Sequence, residues 1–105
     1  MSYKSSYNTI SILNFGDIIK TLTLQINPKL IVEFGILYGF SLKCFADTCQ
    51  KSCQVKAYDI FEEFEGNGAN YNDIITKFDN YNNIEIGKLD FYKGYTQFED
   101  NSIDI

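Results

Sequence analysis

Leu30-Ile31-Val32-Glu33-Phe34-Gly35-Ile36-Leu37-Tyr38-Gly39-Phe40-Ser41 is the stretch on which the reading of this chain turns. It opens as a short apolar run rich in β-branched residues, the composition of a buried strand. An acid, Glu33, interrupts the run near its end. Two glycines follow four apart, and a serine comes two residues after the second. Leu42 to Lys51 then reads as a helix, with Ser41 as its candidate N-cap. Strand, glycine turn and helix in that order form a nucleotide-type site at the C-terminal end of a parallel strand.

Upstream, residues 1–15 are rich in Ser, Tyr and Asn and read as an N-terminal arm. From Asp17, the spacing of Ile18, Ile19, Leu22, Leu24 and Ile26 marks an amphipathic helix. Asn27-Pro28 ends it, because a residue before proline is pushed out of the α region. Downstream, Gln54 to Tyr58 reads as a second strand running into Asp59, and Ile60 to Asn70 as an acidic, Gly- and Asn-rich loop. Tyr71 to Tyr81 is a second helix candidate after the glycine turn, Ile84 to Gly87 a third strand, and Phe91 to Phe98 a short helix or irregular turn. Ser102 to Ile105 looks like the opening of a fourth strand, within which the chain stops. Alternating elements of this kind predict an α/β fold: a partial three-layer α-β-α arrangement with a mostly parallel sheet. A ligand then sits beyond the carboxyl ends of the strands.

The chain has 105 residues, enough for one small domain, and its 45% hydrophobic content supplies a core. A net charge of −5 argues against a nucleic-acid surface, which needs clustered Lys and Arg. No stretch approaches the length of a membrane-spanning helix, and no secretory h-region is visible. Three cysteines, Cys44, Cys49 and Cys53, stand at spacings of five and four with no histidine anywhere, so no zinc set and no metal site is expected. Cys44 reads as a core residue and the other two as partly exposed at a helix end. A reducing, cytoplasmic setting fits free thiols.

The glycines at 35 and 39 permit close approach of a ligand and make positive φ inexpensive. Their GxxxG spacing is neither the GxGxxG of the dinucleotide fingerprint nor a Walker loop. Asp59, at the end of the next strand, is placed to accept from both hydroxyls of a ribose, or else to cap the turn that follows it. Glu33 inside an apolar strand costs several kcal/mol, on the order given for a buried unpaired charge, so it needs either a wet cleft or a partner.

Together these residues resemble motif I and the following acidic motif of the class I S-adenosylmethionine (SAM)-dependent methyltransferases. More narrowly, they are similar to the macrocin-type sugar O-methyltransferases of the methyltransferase domain 24 type. The matching pieces are Val32-Glu33-Phe34-Gly35, Gly39-Phe40-Ser41, Phe45-Ala46, Tyr58-Asp59-Ile60-Phe61 and Phe98 to Ile105. The resemblance covers roughly residues 29–105 and implies a Rossmann-like methyltransferase fold. Residues 16–105 would then be its N-terminal, cofactor-binding half. It also implies that Glu33, Gly35 and Gly39 border the methionine portion of SAM, and that Ser41 caps the helix and meets the ligand. Asp59 would hold the ribose hydroxyls, with Ile60 and Phe61 beside the adenine, although Phe61 reads equally well as a core aromatic. Asp90, after the third strand, falls near the adenine edge.

In that family an acidic segment after the fourth strand supplies catalytic or metal-binding carboxylates, and the acceptor pocket follows. Nothing here follows Ile105, so the expectation is a cofactor half without its acceptor half, and no catalytic base is assigned. The acceptor implied is a small hydroxylated molecule or sugar, and exposed strand edges imply self-association. Two alternatives stand beside this reading: a non-catalytic SAM- or nucleotide-binding module, and a Rossmann-like oxidoreductase fragment. The missing GxGxxG argues against the second.

Overall fold

The computed structural model describes residues 15–105. The expected arm over residues 1–15 lies outside the described residues except for Phe15, which opens the first helix. The elements run α1 (Phe15–Ile26), β1 (Leu30–Phe34), α2 (Phe40–Thr48), β2 (Gln54–Asp59), α3 (Tyr71–Lys77), β3 (Ile84–Lys88) and α4 (Phe91–Gly94). Short 3-10 turns follow β2 at Phe61–Glu63 and α4 at Tyr95–Gln97.

α1 carries two threonines that weaken a helix, and both hydroxyls are satisfied within it. Thr21 Oγ1 donates to the Asp17 carbonyl at 2.9 Å and Thr23 Oγ1 to the Ile19 carbonyl at 2.7 Å. The exit is local chemistry: Asn27 turns left-handed at φ 50° and its N–H closes on the Thr23 carbonyl at 3.0 Å, just before Pro28. α3 starts on Asn70, whose side chain accepts from Asp73 N at 3.0 Å. It ends at Lys77, four residues short of the expected Tyr81, because the chain leaves the helix in a turn that puts Phe78 in the core and lays Tyr81 beside it.

The three strands form one parallel sheet in the order β1-β2-β3, with Ile31 opposite Val55 and Ala57 opposite Ile86. Ser102 to Ile105 does not complete a fourth strand, yet it docks where one begins. Ile105 N donates to the Leu30 carbonyl at 3.3 Å and Val32 N to the Ile105 carbonyl at 2.9 Å, which is the bonding of a parallel pair centred on Ile31. Asp104 adds a side-chain lock, accepting from Lys29 N and Leu30 N at 2.8 and 3.0 Å. β1 therefore lies inside the layer, between β2 and this segment.

Strand alternation sends Ile31, Val55 and Ala57 to one face, where they meet Leu42, Ile36, Phe61, Ile74 and Phe78 in the core. Phe34 and Tyr58 go to the other face, their rings 5.4 Å apart, with Phe91 edge-on to Phe34 at 5.2 Å. Cys53 belongs to the core at 1% exposure rather than to the surface, because it immediately precedes the buried strand β2. Burial pushes its thiol pKa up to about 12, so it is inert at neutral pH.

Candidate functional site

The site is built where β1 and β2 end. Gly35 takes φ +95° immediately after β1, and nothing lies within 4 Å of where its Cβ would stand. Its N–H donates to the Tyr58 carbonyl at 2.7 Å, so the turn starts from the sheet itself. Gly39 behaves differently. It caps α2 in the left-handed region at φ 84°, is buried, and a Cβ there would stand 2.8 Å from Phe78 Cε2. Gly35 opens onto solvent, whereas Gly39 lets α2 and the residues after α3 approach each other. Gly39's missing Cβ is taken up by protein packing, and Gly35 is the glycine of the pair that keeps open space beside it.

Ser41 does not cap α2. The helix starts two residues earlier than the sequence suggests, Gly39 is the N-cap, and Ser41 sits in the first turn. Its hydroxyl instead donates to Glu33 Oε2 at 2.5 Å. This answers the question that Glu33 poses. Glu33 is on the strand face covered by α2, half-buried, with one oxygen held by Ser41 and the other, Oε1, buried without a partner. Burial pushes its carboxyl up to about 7; the Ser41 hydroxyl acts against this and the Asp59 charge reinforces it.

Asp59 ends β2 and is 7% exposed. Both carboxylate oxygens face the chain. Oδ2 accepts from Ile36 N at 2.6 Å and Leu37 N at 3.4 Å. Oδ1 accepts from Phe61 N at 2.7 Å and Asn67 Nδ2 at 2.9 Å. Burial would raise this acid, but the four donors outweigh it and hold its carboxyl below the usual range. A carboxylate has about four lone-pair directions. Here protein donors occupy them, which leaves little for the two ribose hydroxyls that the resemblance assigned to it.

A crevice of about 230 Å³ opens beyond the strand tips. Four of the sequence-assigned residues come together there from three successive strand ends: Gly35, Asp59, Ile60 and Asp90. Asp90 is the N-cap of α4, with Oδ1 accepting from Tyr92 N at 2.9 Å. Phe61 is not among them. Its φ of +51° turns the ring into the core, where it is fully buried and edge-on to Tyr71 at 5.2 Å, so the core-aromatic alternative holds. Glu33, Gly39 and Ser41 lie outside the crevice lining.

The remaining walls, Phe34, Tyr58, Leu89 and Phe91, were not singled out by the sequence. The available signal was positional: Phe34 and Tyr58 are register partners, each one residue before a singled-out position. A larger hollow of about 520 Å³, lined in part by Cys49, Tyr81 and Asn83, lies at the opposite ends of the strands. Ligands in open α/β sheets bind beyond the carboxyl ends, so the smaller crevice is the candidate. Among the described residues no group of three His, Cys, Asp or Glu side chains could hold a metal ion, and no helix is long and apolar enough to cross a membrane.

No family model matches the sequence and no curated protein matches it. Solved structures do resemble the fold. A putative caffeoyl-CoA O-methyltransferase from Staphylococcus aureus superposes with a TM-score of 0.63 at 20% identity, over 89% of this chain and 44% of that one. A Podospora anserina methyltransferase solved with SAH bound gives a TM-score of 0.63 at 12% identity, over 81% and 36%. The O-methyltransferase TomG from Streptomyces achromogenes, solved in complex with SAM, gives 0.53 at 14% identity, over 75% and 34%. The chain spans less than half the length of each of these. At such identities the likeness shows the fold: this is the Rossmann-like α/β fold of class I methyltransferases, represented in part.

Proposed function

We propose that this chain is the adenosyl-binding part of a SAM-dependent methyltransferase, acting on an oxygen of a small hydroxylated or sugar acceptor. One observation carries the reading: Gly35, Asp59, Ile60 and Asp90 leave three consecutive strand tips and meet on one crevice. Neighbours of the same fold that are solved with SAH or SAM bound support it.

The residues fit such a ligand. The backbone at Gly35 is open where a Cβ would otherwise stand, which admits close approach. Ile60 and Phe91 offer apolar surface for a base, and Asp90 offers acceptor oxygens beside it. Behind the turn, Glu33 Oε1 has no protein partner, so this buried acid keeps one oxygen for a polar group of a ligand or a water. When bound, SAM supplies an activated methyl on sulfur for in-line displacement. The chain's own part is to align and desolvate.

No general base is assigned. Glu62, Glu63 and Glu65 lie exposed on the loop after β2, which is the ordinary fate of an acidic run. The macrocin-type relationship and a cytoplasmic setting belong to this same proposal.

Calorimetry of the full chain with S-adenosylhomocysteine, SAM, NAD and ATP tests it. Binding of the two sulfur ligands in preference to the others is expected. Binding of NAD without S-adenosylhomocysteine would favour an oxidoreductase and end the methyltransferase reading.

A further inference from the structure

Asp59 touches the loops after all three strands. Its carboxylate accepts from Ile36 and Leu37 in the loop after β1, and from Phe61 and Asn67 in the loop after β2. Its main-chain carbonyl accepts from Leu89 N at 3.1 Å, after β3. Two of its donors are unusual. Leu37 and Phe61 are non-glycine residues at positive φ, 53° and 51°. Each such conformation is strained and persists only where the surroundings impose it.

Asn67 completes the arrangement. Its Nδ2 donates both to Asp59 Oδ1 and to the Phe61 carbonyl at 3.0 Å, while its Oδ1 accepts from Ala69 N at 3.1 Å. One amide thereby closes the loop after β2 around the carboxylate. Every side-chain polar atom of the pair is used within the chain.

We infer that Asp59 and Asn67 form a clasp that positions the rim of the crevice, and that Asp59 acts through the loops it holds rather than by gripping the ribose. The role in ligand binding rests on the adenosyl reading; the clasp itself does not. Removing either member releases Leu37 and Phe61 from their strained conformations and lets the crevice walls drift. A group that only stabilised the fold would speed amide exchange everywhere and leave the affinity of the folded chain unchanged.

Amide hydrogen exchange and ligand calorimetry on the full chain test this with Asn67→Ala and Asp59→Asn. In Asn67→Ala, exchange at Phe61 N–H and Ile36 N–H should rise about tenfold, the scale of one lost charge-assisted bond, with Glu85 on β3, whose N–H faces β2, unchanged. Unaltered exchange at Phe61 and Ile36 overturns the clasp. In Asp59→Asn, adenosine and 2′,3′-dideoxyadenosine should weaken by the same factor. A loss seen with adenosine but absent with the dideoxy compound would mean a ribose grip and overturn the positioning role. If the unmodified chain binds neither S-adenosylhomocysteine nor adenosine, the adenosyl reading fails, and the exchange rates still decide the clasp.

Discussion

Burial is the largest influence on the Glu33 carboxyl and lifts its pKa from an ordinary 4.5 to about 7, with the Ser41 hydroxyl opposing and the Asp59 charge adding to the rise. The neutral acid is therefore the form that the fold prefers. Because the folded value lies above the unfolded one, the stabilisation is complete below pH 4.5 and is lost as pH rises through 7. Its size is about 3 kcal/mol, the free energy equivalent of that displacement. Asp59 runs the other way: its lowered pKa gives stability above about 3.8, lost as pH falls further. The two windows do not overlap, so they separate in one titration. Urea unfolding across pH 4 to 8 should show stability falling with pH, and Glu33→Gln should flatten that slope. Ser41→Ala removes the group that pulls the Glu33 value down and should shift the falling limb to higher pH. A slope unchanged by Glu33→Gln would place the buried proton elsewhere. The sequence marked Glu33 as an acid in need of a partner, because charge inside a β-branched run is visible in one dimension. Its partner was not visible in the same way, since Ser41 looked like a cap and became a donor only once α2 began two residues early.

At the scale of elements, the strand–turn–helix unit was legible because each part has a local cause: β-branched residues for β1, glycines for the turn, apolar spacing for α2. The division of labour between the glycines was not, since both have the same chemistry and differ only in what stands nearby. Gly39 has φ 84° and a prospective Cβ 2.8 Å from the Phe78 ring, while Gly35 has φ 95° and open space. Gly39→Ala therefore combines left-handed strain with overpacking and should destabilise by about 2–4 kcal/mol. Gly35→Ala carries the strain alone, about 1–2 kcal/mol. Chemical denaturation of both variants checks the order; equal losses would mean that the Phe78 ring moves aside freely. Phe61 shows the same limit. Nothing near Tyr58-Asp59-Ile60 announces a left-handed residue, so a side chain assigned to the ligand turns inward instead. Convergence of Gly35, Asp59, Ile60 and Asp90 was readable because parallel strands joined by right-handed crossovers must bring their carboxyl ends to one side.

Across the whole molecule, the sheet has β1 inside and β3 at an edge. Asn83 and Leu89 make their main-chain bonds toward β2 at the two ends of β3. Alternation then turns the N–H and C=O groups of Ile84, Ile86 and Lys88 outward, where no strand among the described residues pairs with them. Apolar surface lies elsewhere on the same molecule: Ile18, Leu22 and Ile26, four apart on one face of α1, are 45%, 48% and 49% exposed. Rows of unpaired backbone groups and contiguous apolar side chains both favour pairing with another chain. A net charge of −5 opposes it through repulsion, which salt screens. Self-association that strengthens with ionic strength is the expected balance, since screening removes the repulsion and leaves the hydrophobic and backbone contributions in place. Sedimentation velocity at several protein concentrations and two salt concentrations would read it directly. A monomer at every concentration and both ionic strengths would mean that the β3 edge and the α1 face are already covered within one chain. A dimer that dissociated as salt was added would mean instead that charge pairs, rather than apolar or main-chain contacts, hold the copies together.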